Sequence, residues 1–322
     1  MNILFCSAGR RAELIKDFRK SLSPGSRIIA TDMSPYAPAI YFADKYYFVP
    51  AISNESYIPT IIDICINEKI DAITTLIDPE IELLAKNRDA FSSIGVEVLA
   101  PYYDTAKLCF DKYELYKFLK SKGINTPKTY NYYFEAINAI NNNEISFPVF
   151  VKPRTGSGSV GARRIDNIQD LKVACESDHS LIIQEYMNCI DMDADVYIDT
   201  ITHKPVSIFS KRKLETKIGG ASKTISFKDE KLIEFLLDAL DAFQFNGPID
   251  VDLFYRDGEY YLSEINPRFG GAYLHAYGVG VDFVKLIENN INGLPNTPIY
   301  NQYENNIVMM MYDSVVIEKI DM

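Results

Sequence analysis

The chain has 322 residues, with 33 lysines and arginines against 44 aspartates and glutamates, a formal net charge of −11. An acidic balance with no basic tract to offset it argues against nucleic acid or an anionic membrane as the main partner. At 47% apolar and 24% charged, the composition is that of a soluble globular protein long enough for two or three small domains.

Ile3–Ser7 reads as a short apolar strand, and Ala8-Gly9-Arg10-Arg11 turns into a helix running to about Leu22. Arg27–Thr31 is a second strand ending in Asp32; Tyr46–Val49, Ala72–Leu76 and Val96–Leu99 are further short strands. Helical segments around Ile58–Asn67 and after Pro79 separate them. This alternation predicts a parallel, doubly wound sheet, which binds ligands at the carboxyl ends of its strands. Ser7–Arg11, Asp32 and Asp78-Pro79-Glu80 all fall at those ends. The turn at Gly9 lacks the GxGxxG spacing, and Asp32 suits a helix N-cap at least as well as a ribose contact.

Near Asp104 the character changes, so the first domain is expected to span 1–104 and the second 105–322. Tyr113–Lys122 is helical, closes at Gly123 and is preceded by Asp111-Lys112. Lys128–Tyr133 is strand-like, and the run Asn138–Asn143 reads as an exposed turn. Pro148-Val-Phe-Val-Lys152-Pro153 is an apolar strand ending in a lysine, and a loop with Gly156, Ser157, Gly158 and Gly161 follows. Glycine frees backbone N–H groups to point at phosphate oxygens while Lys152 adds a point charge. The P-loop spacing GxxxxGK[ST] is absent. Leu181–Tyr186, Ala194–Thr200 and Pro205–Lys211 are strands, and a basic stretch with Lys211, Arg212, Lys213, Lys217 and Lys223 surrounds Gly219-Gly220. Such a cluster in an acidic chain calls for an anion, although a solvated basic loop would look the same. An amphipathic helix spans about Asp229–Phe243.

The most informative stretch is Asp250–Gly271, DVDLFYRDGEYYLSEINPRFGG. Asp250-Val-Asp252-Leu-Phe-Tyr alternates with strand period, Arg256-Asp257-Gly258-Glu259 is a turn, and Tyr260–Asn266 is the return strand. Glu264 and Asn266 share a face, and Asp252 can lie across from them. Two carboxylates and an amide oxygen are hard ligands suited to Mg²⁺. Arg268 follows, where a guanidinium can grip a phosphate. A solvated hairpin with water-facing acids is the competing reading of the spacing alone.

Five scattered cysteines without CxxC spacing read as small core residues in a reducing cytosol, and no signal-peptide pattern opens the chain. Three dispersed histidines offer no nucleophile–base arrangement, so covalent catalysis is not expected. His275, just past the hairpin, is a substrate contact or, more simply, a core histidine. The expected location is cytoplasmic, with a homodimer as the default assembly.

Taken in order, the lysine at Asp111-Lys112, the VKP strand with its glycine loop, Gln184-Glu185-Tyr186-Met187, the basic stretch, DVD and EINPR resemble the motifs of ATP-grasp ligases. The branch is the one that includes carbamoyl-phosphate synthase large subunits, here as a single unit covering nearly the whole chain. The resemblance implies a pre-ATP-grasp domain of doubly wound α/β type followed by a two-lobed ATP-grasp domain, the small lobe about 125–187 and the large lobe about 188–322. It implies ATP as cofactor, held by Lys112 and Lys152, by the glycine loop, by the hinge 184–187 and at the ribose by Asp191. It implies two Mg²⁺ ions, for which Mn²⁺ can substitute, on Asp252, Glu264 and Asn266. Asp252 rather than Asp250 is assigned to the metal on the family register. Arg268 and either Lys217 or Lys223 would face the γ-phosphate. The implied reaction joins a small-molecule carboxylate to an amine, or to a thiol, through an acylphosphate. Carboxyphosphate or carbamate kinase chemistry and a non-catalytic ATP-binding module are the alternatives.

Overall fold

The computed structural model describes residues 1–320 apart from 157, 159, 218 and 219. Ser157 of the glycine loop and Gly219 of the basic stretch therefore lie outside the described residues. The first part of the chain alternates β1 (Asn2–Cys6), α1 (Ala12–Ser21), β2 (Arg27–Asp32), β3 (Lys45–Phe48), α2 (Tyr57–Glu68), β4 (Ala72–Thr75), α3 (Asp78–Lys86), α4 (Arg88–Ser93) and β5 (Glu97–Val98). The five strands pair in parallel in the order β3-β2-β1-β4-β5. Their residues are apolar on both sides because both sides are covered. Ile3, Phe5 and Ile28 pack with Leu14, Ile15 and Phe18 of α1, while Leu4, Cys6 and Ile73 pack with Ile61, Cys65 and Leu84. The strand order reverses between β1 and β4, which opens a crevice at their carboxyl ends. Arg11 follows β1 there, and Asp78 follows β4. Asp32 caps no helix: its carboxylate accepts from the amides of Gly9 and Ser34, each at 2.9 Å, and fixes the loop after β1.

Two helices, α5 (Tyr103–Phe110) and α6 (Lys112–Ser121), lead into the second part. A small antiparallel sheet then combines β6 (Thr129–Tyr130), β7 (Val149–Pro153), β8 (Arg163–Ile165) and β9 (Leu181–Glu185) in the order β6-β9-β7-β8. Helices α7 (Tyr133–Asn141) and α8 (Ile168–Ser177) cover one face through Val149, Val151, Ile165 and Ile183. Phe150, Lys152 and Gln184 point to the other face. The asparagine run expected as a turn is the last turn of α7, with Asn143 in the left-handed region just beyond it. Lys128–Tyr133 forms only a two-residue strand, because Tyr133 already begins α7.

The largest sheet is antiparallel. It holds β10 (Ile190–Ile198), β11 (Pro205–Lys217), β12 (Gly220–Ser226), β13 (Gly247–Arg256) and β14 (Glu259–Asn266) in the order β14-β13-β10-β11-β12, with α9 (Glu230–Leu240) between β12 and β13. Helices α10 (Tyr273–Gly278) and α11 (Phe283–Ile291) follow, then β15 (Ile299–Tyr300) beside β11 and β16 (Val308–Met310) beside β12. The basic stretch, for which a solvated loop was the competing reading, forms the arms of the β11–β12 hairpin. The period-2 alternation places Lys211 and Lys213 on one face of β11, and irregularities on either side of Glu215 break the alternation before Lys217.

Along β10, Met192, Ala194 and Val196 face α9, with Val251, Leu253 and Leu262 beside them. Asp191, Asp193 and Asp195 alternate onto the opposite face. Toward Tyr197 and Phe209 that face turns apolar and joins the core of the first sheet, where Phe18 meets Phe269 edge to face at 5.5 Å. The two parts expected to divide near Asp104 thus share a core. No helix among the described residues is long and apolar enough to cross a membrane.

Glu80 of α3 is fully buried, accepting from Tyr57 Oη and, at 2.6 Å, from Thr75 Oγ1, with no cation beside it. Burial holds its carboxyl above the ordinary value. The folded protein therefore keeps a proton that the unfolded chain releases above about pH 4.3, so this group's contribution to stability falls as pH rises through that window. In Glu80→Gln the decline in urea midpoint from about pH 5 to about pH 8 should be shallower than in wild type. An unchanged slope would show Glu80 to be ionised in the fold.

Candidate functional site

The polar face of the large sheet is built of opposed charges. Asp193 and Asp252 are direct partners across β10 and β13, and Asp195 is opposite Asp250. Lys211, fully buried on β11, answers the first group, with its Nζ 2.6 Å from Asp193 and in contact with Asp195. Burial alone would lower the Lys211 pKa; Asp193, then Asp195 and Asp250, overcome this and raise it. Asp195 is pushed up to about 6, by burial first, with Lys211 opposing. One turn of the alternation further on, Lys213 Nζ lies 2.5 Å from Asp252 and 3.0 Å from Asp191. Lys213 outweighs burial at Asp252 and keeps that carboxyl below its ordinary value, so it stays ionised.

At the far edge, β14 is registered so that Glu264 faces Asp252 and Asn266 faces Asp250, with an irregularity just after Asp252. Asn266 Nδ2 donates to Asp252 at 3.1 Å. Glu264 sits between two lysines from other elements, 3.7 Å from Lys112 at the start of α6 and 3.6 Å from Lys152 at the end of β7. The Lys152 pKa is lowered, by burial first, with Glu264 working against it. Lys112 is tied to the glycine loop as well: its Nζ donates to the Gly156 carbonyl at 2.6 Å and its amide to the Arg154 carbonyl at 3.0 Å. Arg154 in turn grips Asp111, the N-cap of α6, through three contacts of 2.7–2.8 Å. Gly156, Gly158 and Gly161 all have positive φ, which their lack of a side chain permits. A small cleft lined by Asp78, Cys109, Lys112, Gly156, Glu264 and Asn266 lies where these elements meet.

After β9 the chain leaves the sheet at Tyr186 and Met187, and no backbone acceptor among the described residues takes the Met187 amide. The Gln184 side chain is buried, its Nε2 donating to Thr129 Oγ1 at 2.9 Å. Glu185 accepts from the Lys128 amide at 2.8 Å and from Arg256 at 3.1 Å. A polar cavity of about 510 Å³ opens beside this bend, between Pro148, Arg164, Tyr186, Asn188 and Arg256. Asp191 sits at the start of β10, with Lys213 as its partner.

Arg268 leaves the β14 end and meets Asp78 at the start of α3, Nε to Oδ1 at 2.7 Å and Nη2 to Oδ2 at 3.0 Å. Asp78 and Asp250 raise the Arg268 pKa against its burial. Gly270 is obligatory here, since a Cβ would lie 2.8 Å from Asp195 Oδ1 and from Asp250 Oδ1.

Lys112, Lys152, Asp252, Glu264, Asn266 and Arg268 thus converge from separate segments. Lys217 and Lys223 do not reach them: both pair with Glu215, at 4.0 and 2.7 Å, out on the hairpin. The lysine that does reach the acids, Lys213, was missed, as were Lys211 and the Asp78–Arg268 pair. The repeat Lys-x-Lys opposite Asp-x-Asp-x-Asp was the available signal for the lysines. His275 is a core residue, its Nδ1 2.7 Å from Thr224 Oγ1, and burial, then Lys211, pushes its pKa down to about 4. Asp252 and Glu264, each already answered by lysine, together with the Asn266 amide, offer the hard oxygens that magnesium prefers. No group of three or more His, Cys, Asp or Glu side chains suited to a metal occurs among the described residues.

Residues 109–272 match the family model described as ATP-grasp domain, and residues 3–99 match that described as PylC-like, N-terminal domain. Among curated proteins, a D-alanine–D-alanine ligase of Campylobacter jejuni is 26% identical over 239 residues, 63% of this chain and 66% of the relative. The chain thus spans just under two thirds of that ligase. The carbamoyl phosphate synthase large chain of Pseudothermotoga lettingae is 23% identical over 84% of this chain but only 25% of its own length. Of solved structures, N5-carboxyaminoimidazole synthetase from Staphylococcus aureus superposes with a TM-score of 0.74 at 18% identity, covering 96% of this chain and 81% of that one. Biotin carboxylase from Campylobacter jejuni superposes at 0.73 and 20% identity, covering 95% and 74%. These two share the fold: a parallel-sheet N-terminal domain followed by the antiparallel sheets of an ATP-grasp domain.

Replacing Lys211 by methionine would leave Asp193 and Asp195 buried without their cation. The expected loss in unfolding free energy is about 3–5 kcal/mol, measured by urea denaturation at neutral pH. A loss under about 1 kcal/mol would mean that the two acids share a proton instead.

Proposed function

The chain belongs to the ATP-grasp family, and on that premise we propose that it is an ATP-dependent ligase that joins a small carboxylic acid to an amine, releasing ADP and phosphate. The observation that supports this best is the meeting of Lys112, Lys152 and Glu264 from three separate elements beside Asp252, Asn266 and Arg268. Magnesium bound by Asp252, Glu264 and Asn266, or manganese in its place, would supply charge neutralisation at the phosphate oxygens. Lys112 and Lys152 bind the phosphate chain, and the glycine loop, tied to Lys112 through Gly156, covers it and keeps water out. The Met187 amide would give a donor to the adenine edge, and we assign Asp191 to the ribose. Arg268, oriented by Asp78, stabilises negative charge on the transferring phosphoryl group.

In this reading the substrate carboxylate attacks the γ-phosphorus, the bond to the β-phosphate oxygen breaks, and an acylphosphate forms. The amine then adds to the acyl carbon and phosphate leaves. No protein side chain is needed as nucleophile, so rate comes from positioning and charge. Lys213 rather than Lys217 or Lys223 is the hairpin cation we assign to this site, because it alone of the three contacts Asp252. Acid and amine substrates enter from the crevice between β1 and β4, and the compartment is a reducing one in which the five cysteines remain free.

ADP release measured with pooled amino acids and other small acids and amines tests the proposal. Wild type should show release that depends on an acid–amine pair, and Glu264→Ala should lower it by at least about 100-fold. Tight ATP binding without stimulated release for any pair would identify a non-catalytic nucleotide-binding module instead.

A further inference from the structure

The chain crosses between the four-stranded sheet and the large sheet by two routes, entering the smaller one between α6 and β6 and leaving it between β9 and β10. Both crossings are fastened to the β13–β14 hairpin that carries Asp252 and Glu264. At the first, the Asn125 carbonyl accepts from the Leu262 amide of β14 at 2.8 Å. At the second, Nη1 of Arg256, the last residue of β13, donates to Glu185 Oε2 at 3.1 Å and lies 3.2 Å from the Met187 sulfur. Glu185 also ties the two crossings to each other. Its Oε1 accepts from the Lys128 amide at 2.8 Å, and its own amide donates to the Lys128 carbonyl at 2.9 Å.

Among the described residues, two ion pairs join the four-stranded sheet to the large one, Lys152 with Glu264 and Glu185 with Arg256. The first uses groups assigned above to phosphate and metal. The second uses neither, so it is free to act on how the two sheets are set against each other. Arg256 is braced by the Tyr261 ring, whose centroid is 4.9 Å from the guanidinium carbon. Burial opposes the Arg256 charge, but the Tyr261 hydroxyl and then Glu185 outweigh it and raise its pKa. Glu185, Tyr186, Asn188 and Arg256 all border the polar cavity of about 510 Å³ at the bend. With open space on that side, cross-links rather than close packing hold the bend in place.

We propose that Arg256 is a positioning residue for the nucleotide base, fixing the Met187 amide relative to the metal-ligand hairpin through Glu185 and Met187. The base end and the metal end of the nucleotide are then registered on one element, since Asp252 and Arg256 both belong to β13. That the positioned ligand is an adenine nucleotide rests on the reading above; the clamp itself rests on the contacts. Adenine presents an acceptor at N1 where guanine presents a donor, so an amide N–H held at one point accepts the first and rejects the second. An amide free to shift loses that discrimination.

The test uses the full-length protein, with MgADP and MgGDP titrated by calorimetry and with hydrogen exchange of the ligand-free protein followed across residues 123–130 and 185–190. Wild type should prefer MgADP. Arg256→Gln should narrow that preference at least about fivefold and speed exchange in both segments. Glu185→Gln keeps an acceptor for the Lys128 amide but loses the charge, and it should have the same effect. The double variant should be no worse than either single one. Arg256→Lys keeps the pairing charge, should fall between wild type and Arg256→Gln, and carries the test should the glutamine variant not fold. Equal wild-type affinities for the two nucleotides overturn the positioning role. So does a lowered urea midpoint with an unchanged affinity ratio, the mark of an ion pair that only stabilises. Additive effects of the two single substitutions on the ratio overturn action through Glu185. Faster exchange in Arg256→Gln, with neither nucleotide bound by wild type, would leave the clamp standing and remove the nucleotide reading and the positioning role with it.

Discussion

Lys211 is the constraint on which the charged face depends. It is fully buried, and taking an ammonium out of water costs several kcal/mol unless partners compensate for it. Asp193 and Asp195 do so, yet they are acids on one strand, and Asp252 and Asp250 lie opposite them on the next. Four carboxylates in adjoining register would repel one another without a cation among them. With Lys211 and Lys213 alternating along β11, Asp193, Asp195 and Asp252 each face a cation, while burial and the neighbouring acids push the Asp250 carboxyl well above its ordinary value. That arrangement requires the strand register to be correct, because a slip by one residue would put every aspartate against α9.

A second consequence concerns how the two parts of the chain are joined. The first part of the chain contributes Phe5 of β1 and Phe18 of α1 to a core that also holds Phe269, Tyr273 and Phe283. Arg268, the neighbour of Phe269, reaches back to Asp78 at the start of α3. Apolar packing therefore sets the distance, and the bidentate pair sets the angle, at which the crevice between β1 and β4 meets the metal-ligand hairpin. Two substrates brought from different parts of a fold can react only if that geometry is held to a fraction of an ångström.

How much of this could be read in the chain depends on the range of the interaction. The hairpin of Asp252, Glu264 and Asn266 was legible because its parts are close in sequence and strand period dictates which side chains share a face. The βα alternation of the first hundred residues was legible for the same reason. The partners of these groups were not: Asp78 with Arg268 spans 190 residues, and Lys213 with Asp252 spans 39. Whether a lysine belongs to a loop or to a strand depends on what lies opposite it, and the basic stretch was misread on that account. Lys217 and Lys223 looked equivalent to Lys213 in composition, but only Lys213 falls where β10 and β13 present their acids. Ligand identity was legible only through family resemblance, since a cleft's selectivity lies in loop shapes that no periodicity encodes.

The internal pairing of the cleft has a bearing on how it can work. Its lysines and its metal-type ligands are each other's partners: Lys112 and Lys152 hold Glu264, and Lys213 holds Asp252. On the proposed reading, a metal–nucleotide entering such a site would exchange partners without having to desolvate bare charges. The phosphates would take the lysines and the cation the carboxylates, so that the number of opposite-charge contacts would be kept or increased. This limits the electrostatic penalty of binding, and it keeps the side chains oriented toward the cleft by contacts they will give up. Asp252 retains Lys213 on its other side throughout, which keeps it ionised despite burial.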